Sequence, residues 1–179
     1  MKPLLLVAAA ALCLAGTESR VSRNSIVLVE NSINEKLASY SGDPYDVLGN
    51  ARGTYLEGYG ALFTVELDLI NTGPINPNPF KQKITTQEVA TARERKLKKL
   101  AMLRENMRSL MMNACGTLEG LPPNEHVAIE AVLLYNKWED SVGMPRRLFM
   151  SAEKHKLLDA RAAHAGQPEL AAIIEEQGR

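Results

Sequence analysis

Cysteine is almost absent from this chain, with only Cys13 and Cys115 among 179 residues. Cys13 lies in an apolar leader, so no internal disulfide framework is open to the rest of the chain, and its stability must come from a packed core. Histidine is as scarce. His126, His155 and His164 are scattered, and the nine-residue gap between the last two sets them on opposite sides of a helix, which predicts no metal site. Aromatic residues make up 5% of the chain, and the basic stretch lacks the interleaved rings on which nucleic-acid binders stack bases. G-x-S-x-G, H-E-x-x-H and the Lys-Ser/Thr of a phosphate loop are missing too, so no motif names a reaction and no cofactor is expected.

The longest apolar run, Leu4 to Leu14, falls short of the roughly 20 residues that a membrane span needs. Preceded by Lys2 and followed by Ala15 and Gly16, it has the layout of a secretory signal over residues 1–15, cut after Ala15 or Gly16. A lipoprotein signal would place a small residue before the acylated cysteine, whereas Cys13 follows Leu12. The expectation is an exported protein, periplasmic or secreted, that meets a membrane only if the leader is retained. Cys115, between Ala114 and Gly116, then reads as a small buried residue at a helix end. No N-x-S/T acceptor with a permitted middle residue occurs, and with no disulfide this favours a bacterial envelope protein over a eukaryotic secreted domain.

Residues 16–179 suffice for one domain with a real core. The spacing of Val27, Leu28, Ile33 and Leu37 predicts a helix over Ser25 to Tyr40. Phe63, Val65, Leu67 and Leu69 alternate with Thr64, Glu66 and Asp68, the pattern of a strand over Leu62 to Ile70. Pro74, Pro77 and Pro79 make residues 71–80 a proline-rich loop. Thr85 with Glu88 has capping-box spacing and opens a long helix to about Ala114, whose apolar positions are Leu100, Leu103, Met107, Leu110 and Ala114. Further strands are expected over Val127 to Asn136 and Arg147 to Met150. Ser151 would cap a helix reaching Ala163, and Pro168 would open a last helix ending near Gln177. This order predicts an α+β two-layer sandwich: a small sheet of about four strands under one long amphipathic helix and shorter flanking helices. If the strands on either side of the long helix are parallel neighbours, that helix is their crossover.

Three groups of residues are candidates for function. The glycine and tyrosine block Ala51 to Gly60 permits close backbone approach, and Arg52, Tyr55 and Tyr59 would suit an anionic or sugar-like ligand. The competing reading is a hairpin turn at Glu57 to Gly60 with tyrosines packed beside it. Glu66 and Asp68 share a strand face that Glu130 would join under suitable register, a cluster able to bind a divalent cation or divide acid and base roles, if it is not simply solvated. Lys81 to Ala114 carries nine basic residues against three acidic ones, while both flanks are acidic. Arg93, Arg95, Lys96, Lys98, Lys99, Arg104 and Arg108 would form a solvated face or a docking surface, and export argues against nucleic acid as the partner.

The segments Gly53-Thr-Tyr-Leu-Glu-Gly-Tyr-Gly-Ala-Leu-Phe-Thr, Leu121-Pro-Pro-Asn-Glu-His and Trp138-Glu-Asp resemble those of short exported bacterial proteins of unassigned function. The resemblance implies a shared fold and export, and it supplies no catalytic residues. The expected role is a non-enzymatic binding or envelope-interaction module with an envelope or secreted protein partner, its oligomeric state left open. The alternative is a small periplasmic hydrolase or metal-assisted enzyme centred on Glu66, Asp68 and Glu130. A deep pocket joining those carboxylates to Arg52 would favour the enzyme, and a flat face with dispersed acids the binding module.

Overall fold

The computed structural model describes residues 21–39, 44–70 and 84–179; the expected leader with its cleavage point, and the expected proline-rich loop at 71–80, lie outside the described residues. The architecture is α+β, with four helices and a five-stranded sheet among the described residues. Helix α1 spans Arg23–Ala38, strand β1 Asp46–Leu56 and β2 Gly60–Asp68; α2 follows over Thr86–Thr117. Strands β3 (His126–Leu133) and β4 (Arg147–Glu153) precede α3 (Lys154–Ala162), α4 (Gln167–Ile173) and β5 (Glu175–Gly178). The strands lie in sequence order across the sheet. All pairs are antiparallel except β2 and β3, which run parallel as expected of strands joined through a helix.

Period-two alternation sorts the strands into two faces. Ala61, Phe63, Val65 and Leu67 of β2, Val127, Ile129, Ala131 and Leu133 of β3, and Leu148, Met150 and Ala152 of β4 all enter the core. The helices close that face. α1 contributes Ile26, Val29, Ile33 and Leu37, one buried residue per turn, and α2 contributes Leu100, Leu103, Met107, Leu110 and Ala114, the stripe expected from sequence. At its start Glu88 N donates to Thr85 Oγ1 at 3.2 Å and Thr85 N donates to Glu88 Oε2 at 2.8 Å, so the capping box forms as its spacing required. Cys115 is buried near the helix end, and burial pushes its thiol above the ordinary value against the opposing pull of Arg161 and Lys154.

Several local expectations are corrected. The hairpin reading of the glycine and tyrosine block holds, although the block is mostly strand: β1 runs to Leu56, and a three-residue turn closes on β2 through Tyr59 N donating to Leu56 O at 3.0 Å. Gly53 is required because α1 lies directly on β1; a Cβ there would stand 2.5 Å from the Phe63 ring and 2.7 Å from Ile26. Gly60, at φ +135°, lies against the His126 backbone. Helix α2 continues past Ala114 to Thr117, and Lys154 holds the chain just beyond its end, its ammonium donating to Leu118 O at 2.7 Å and Leu121 O at 2.8 Å. Ser151 is a buried strand residue and caps nothing; β4 runs through it, and Glu153 precedes α3. The last helix stops at Ile173, and Glu175–Gly178 forms a fifth strand where the sequence suggested helix as far as Gln177. That strand lacks apolar alternation, and all four of its residues are exposed.

Candidate functional site

The helices cover one face of the sheet, and among the described residues none lies on the other. That second face carries Arg52 and Thr54 of β1, Leu62, Thr64 and Glu66 of β2, His126, Glu130 and Val132 of β3, and Arg147 and Phe149 of β4, by their registers, together with the buried Ala128 and Ser151. Glu175 and Gln177 of β5 continue it to the edge. A groove of about 250 Å³ crosses it, lined by Glu130, Arg147, Phe149, Gln177 and Arg179. It is smaller than the roughly 300–1,000 Å³ of small-molecule sites. Glu130 and Arg147 are 3.4 Å apart with the guanidinium 64% exposed, a weak surface pair.

The expected acidic cluster is divided by the fold. Glu66 is exposed on the open face, and Glu130 lies one strand over, opposite Thr64 in register. Asp68 is 6% exposed and belongs to a different place. Its Oδ1 is 2.7 Å from Lys96 Nζ, and the same ammonium pairs with Glu139, donates to Leu134 O at 3.4 Å and lies 4.8 Å from the centre of the Tyr135 ring. Lys96 is 1% exposed. It is therefore the hub of a buried ion network that ties α2 to the end of β2 and to the segment following β3, rather than part of a solvated basic face. Burial, then the Asp68 and Glu139 charges, push the Tyr135 phenol up to about 12, and its OH donates to Pro145 O at 2.8 Å.

Other basic residues of α2 are engaged within the chain as well. Lys99 is 3% exposed and lies over the Tyr45 ring at 4.7 Å. Arg93 donates to Asp140 O at 3.0 Å and Val142 O at 2.9 Å. Arg104 and Arg108 both engage Glu176 of β5, at 2.6 and 3.2 Å. Arg95 and Lys98 have exposed side chains. The sequence signal that could have found the buried lysines is their position: Lys96 and Lys99 precede Leu100 and Leu103 by four residues each, on the same helix stripe.

Arg52, Tyr55 and Tyr59 do not converge. Arg52 points to the open face, Tyr55 sits opposite Ala61 on the helix side, and Tyr59 belongs to the hairpin turn. The Tyr55 hydroxyl donates to Glu125 Oε1 at 3.3 Å, and Gly58 N donates to the same oxygen at 3.1 Å. Glu125 thus clamps the hairpin from the loop before β3, with its Oε2 buried and lacking a hydrogen-bond partner. Partial burial and the Glu125 carboxylate raise the Tyr55 phenol. The Tyr59 ring stacks on His126 at 5.4 Å and 11°, and burial raises its phenol against an opposing hydrogen bond with Ser151. Sequence reasoning missed both Glu125 and the nearness of His126 and His155 to Glu153. Those imidazoles help hold the Glu153 carboxyl low, after its hydrogen bond with Lys156. No group of three or more His, Cys, Asp or Glu among the described residues forms a metal-ligand set.

No helix among the described residues is long and apolar enough to cross a membrane. Compared with protein-family models, curated proteins and solved structures, the chain matches none.

Proposed function

We propose that this chain is an exported, non-enzymatic binding module that meets an envelope or secreted protein partner through the open face of its sheet. The observation that carries the reading is the contrast between that face and the rest of the molecule. Leu62, Val132 and Phe149 are only half-buried there, and Arg52, Glu66 and Arg147 stand exposed among them. A broad, shallow, mixed apolar and charged surface is what protein partners use, and Phe149 of β4 offers it an aromatic anchor. The carboxylates that an enzyme would need together are apart, and Asp68 is neutralised by Lys96. The basic half of α2, the surface first suggested by its charge, is a poorer candidate because Lys96 and Lys99 are buried.

Capture from envelope fractions tests this reading, using the intact protein, a Phe149→Glu/Arg147→Glu variant and an Arg95→Glu/Lys98→Glu variant, each first verified as folded by circular dichroism. Loss of the captured protein with the sheet-face variant and its retention with the helix variant are expected. The opposite pattern would return the contact to the helix, and retention by both would remove the sheet face from the proposal.

A further inference from the structure

The fold guards one edge of its sheet and leaves the other bare. At the β1 edge α1 supplies side chains as a substitute strand: Asn34 Oδ1 accepts from Ala51 N at 2.8 Å and Glu30 Oε1 from Gly53 N at 2.7 Å. Arg23 reaches Gly53 O at 3.2 Å and braces Glu30. Such covering keeps an edge from pairing with another chain. At the β5 edge no comparable cap is present among the described residues. Arg147 N donates to Arg179 O at 2.8 Å and Arg179 N to Arg147 O at 3.0 Å, which fixes the antiparallel alternation. With Phe149 opposite Gln177 and Ser151 opposite Glu175, those two β5 residues turn their backbone groups toward β4. Glu176 and Gly178 turn theirs outward, and the whole strand is exposed.

We propose that this edge joins two copies of the chain, β5 against β5, antiparallel about a two-fold axis at Gln177. In that register Glu176 of each copy exchanges backbone hydrogen bonds with Gly178 of the other. Gln177 meets its own counterpart, and Glu175 stands opposite Arg179 on the open face at both ends, which brings opposite charges into cross-strand contact. On the helix side, the residue opposite the Arg104–Glu176–Arg108 cluster is a glycine, so the cluster meets no side chain. A register centred on Glu176 loses this match, because it sets Glu176 against Glu176. Charge therefore selects both the occupant and the register of an isologous contact. A few main-chain bonds and exposed ion pairs must offset the cost of association, so the dimer is weak, with a Kd on the order of 10 μM to 1 mM.

Analytical ultracentrifugation of the purified protein over a concentration series reads this directly. Gly178→Pro removes an outward N–H that the fold does not use, and a Cβ there meets only Pro145 at 3.5 Å, so the subunit folds. It should raise the dimer Kd by about tenfold or more. Arg179→Glu should weaken the dimer by about tenfold, and the swap Glu175→Arg/Arg179→Glu should restore it. A chain that stays monomeric at millimolar concentration overturns the proposal. So does a dimer indifferent to Gly178→Pro, a charge swap that fails to rescue, or an edge that takes up another protein's strand while the chain itself stays monomeric.

Discussion

Lys96 and Lys98 stand two residues apart on α2, and the fold treats them oppositely. Lys96 is 1% exposed and held between Asp68 and Glu139 under the Tyr135 ring, whereas Lys98 is exposed to solvent. The same contrast divides Glu66 from Asp68 on β2, one exposed on the open face and the other paired in the interior. Charged residues of this chain thus do two different jobs. Inside, they fasten α2 to the end of β2 and to the segment after β3 at a large desolvation cost that only complete pairing offsets. Outside, they stand exposed on a face that they share with the half-buried Phe149, Leu62 and Val132.

The largest break in this comparison comes from removing the hub. Lys96→Ala leaves Asp68 and Glu139 buried without their cation and should cost about 3–5 kcal/mol in urea unfolding. Lys98→Ala should stay within about 0.5 kcal/mol. Replacing the network together, as Lys96→Met/Asp68→Asn/Glu139→Gln, should recover most of the loss because no buried charge is then stranded. Equal costs for the two single lysine changes would mean that Lys96 is solvated in the folded protein.

The carboxylates give the next contrast. Asp68→Ala removes one of the two acids that compensate the buried ammonium and should cost about 2–4 kcal/mol, while Glu66→Ala should change stability by less than about 0.5 kcal/mol. Thermal midpoints of the pair, measured side by side, check this. Similar midpoints would restore the single acidic cluster that the strand's alternation suggests. Gly53→Ala sharpens the closed side further: its Cβ would press on Phe63 and Ile26, so a loss of about 1–3 kcal/mol is expected.

Periodicity made the layers legible. The stripe of α2, its capping box and the alternation of β2 and β3 follow from spacing and local hydrogen-bond chemistry, whereas the parallel pairing of those strands stays open in the sequence and is shown by the structure. Residue type misled where position carried the information. Lys96 and Lys99 fall on the apolar stripe, yet their charge suggests solvent; only partners distant in sequence, Asp68, Glu139 and Tyr45, make their burial possible. Asp68 lies at the end of an alternating strand, where the chain leaves the sheet and its side chain can reach α2. Strand β5 was illegible for a different reason. An exposed edge strand needs no apolar face, and Glu176 is satisfied by Arg104 and Arg108 from far away in the sequence. The candidate sites suffered most, because a list of chemically able residues says nothing about which of them the core will claim.

The smallest effect separates the interior network from the surface by pH alone. Tyr135 keeps its proton to about 12 in the folded protein, through burial and the neighbouring Asp68 and Glu139 charges, while an unfolded phenol releases it near 10. The stabilisation this represents is complete below pH 10 and disappears as the pH rises through 12, because there the unfolded state loses a proton that the folded state still holds. Tyr135→Phe removes the ionisation and the hydrogen bond to Pro145 O together, so the variant should start lower at pH 8 and decline less steeply between pH 10 and 12. Denaturant midpoints of the two proteins across that range read the difference, with the lysine titrations common to both. Parallel declines would place the Tyr135 phenol in water and remove it from the network around Lys96.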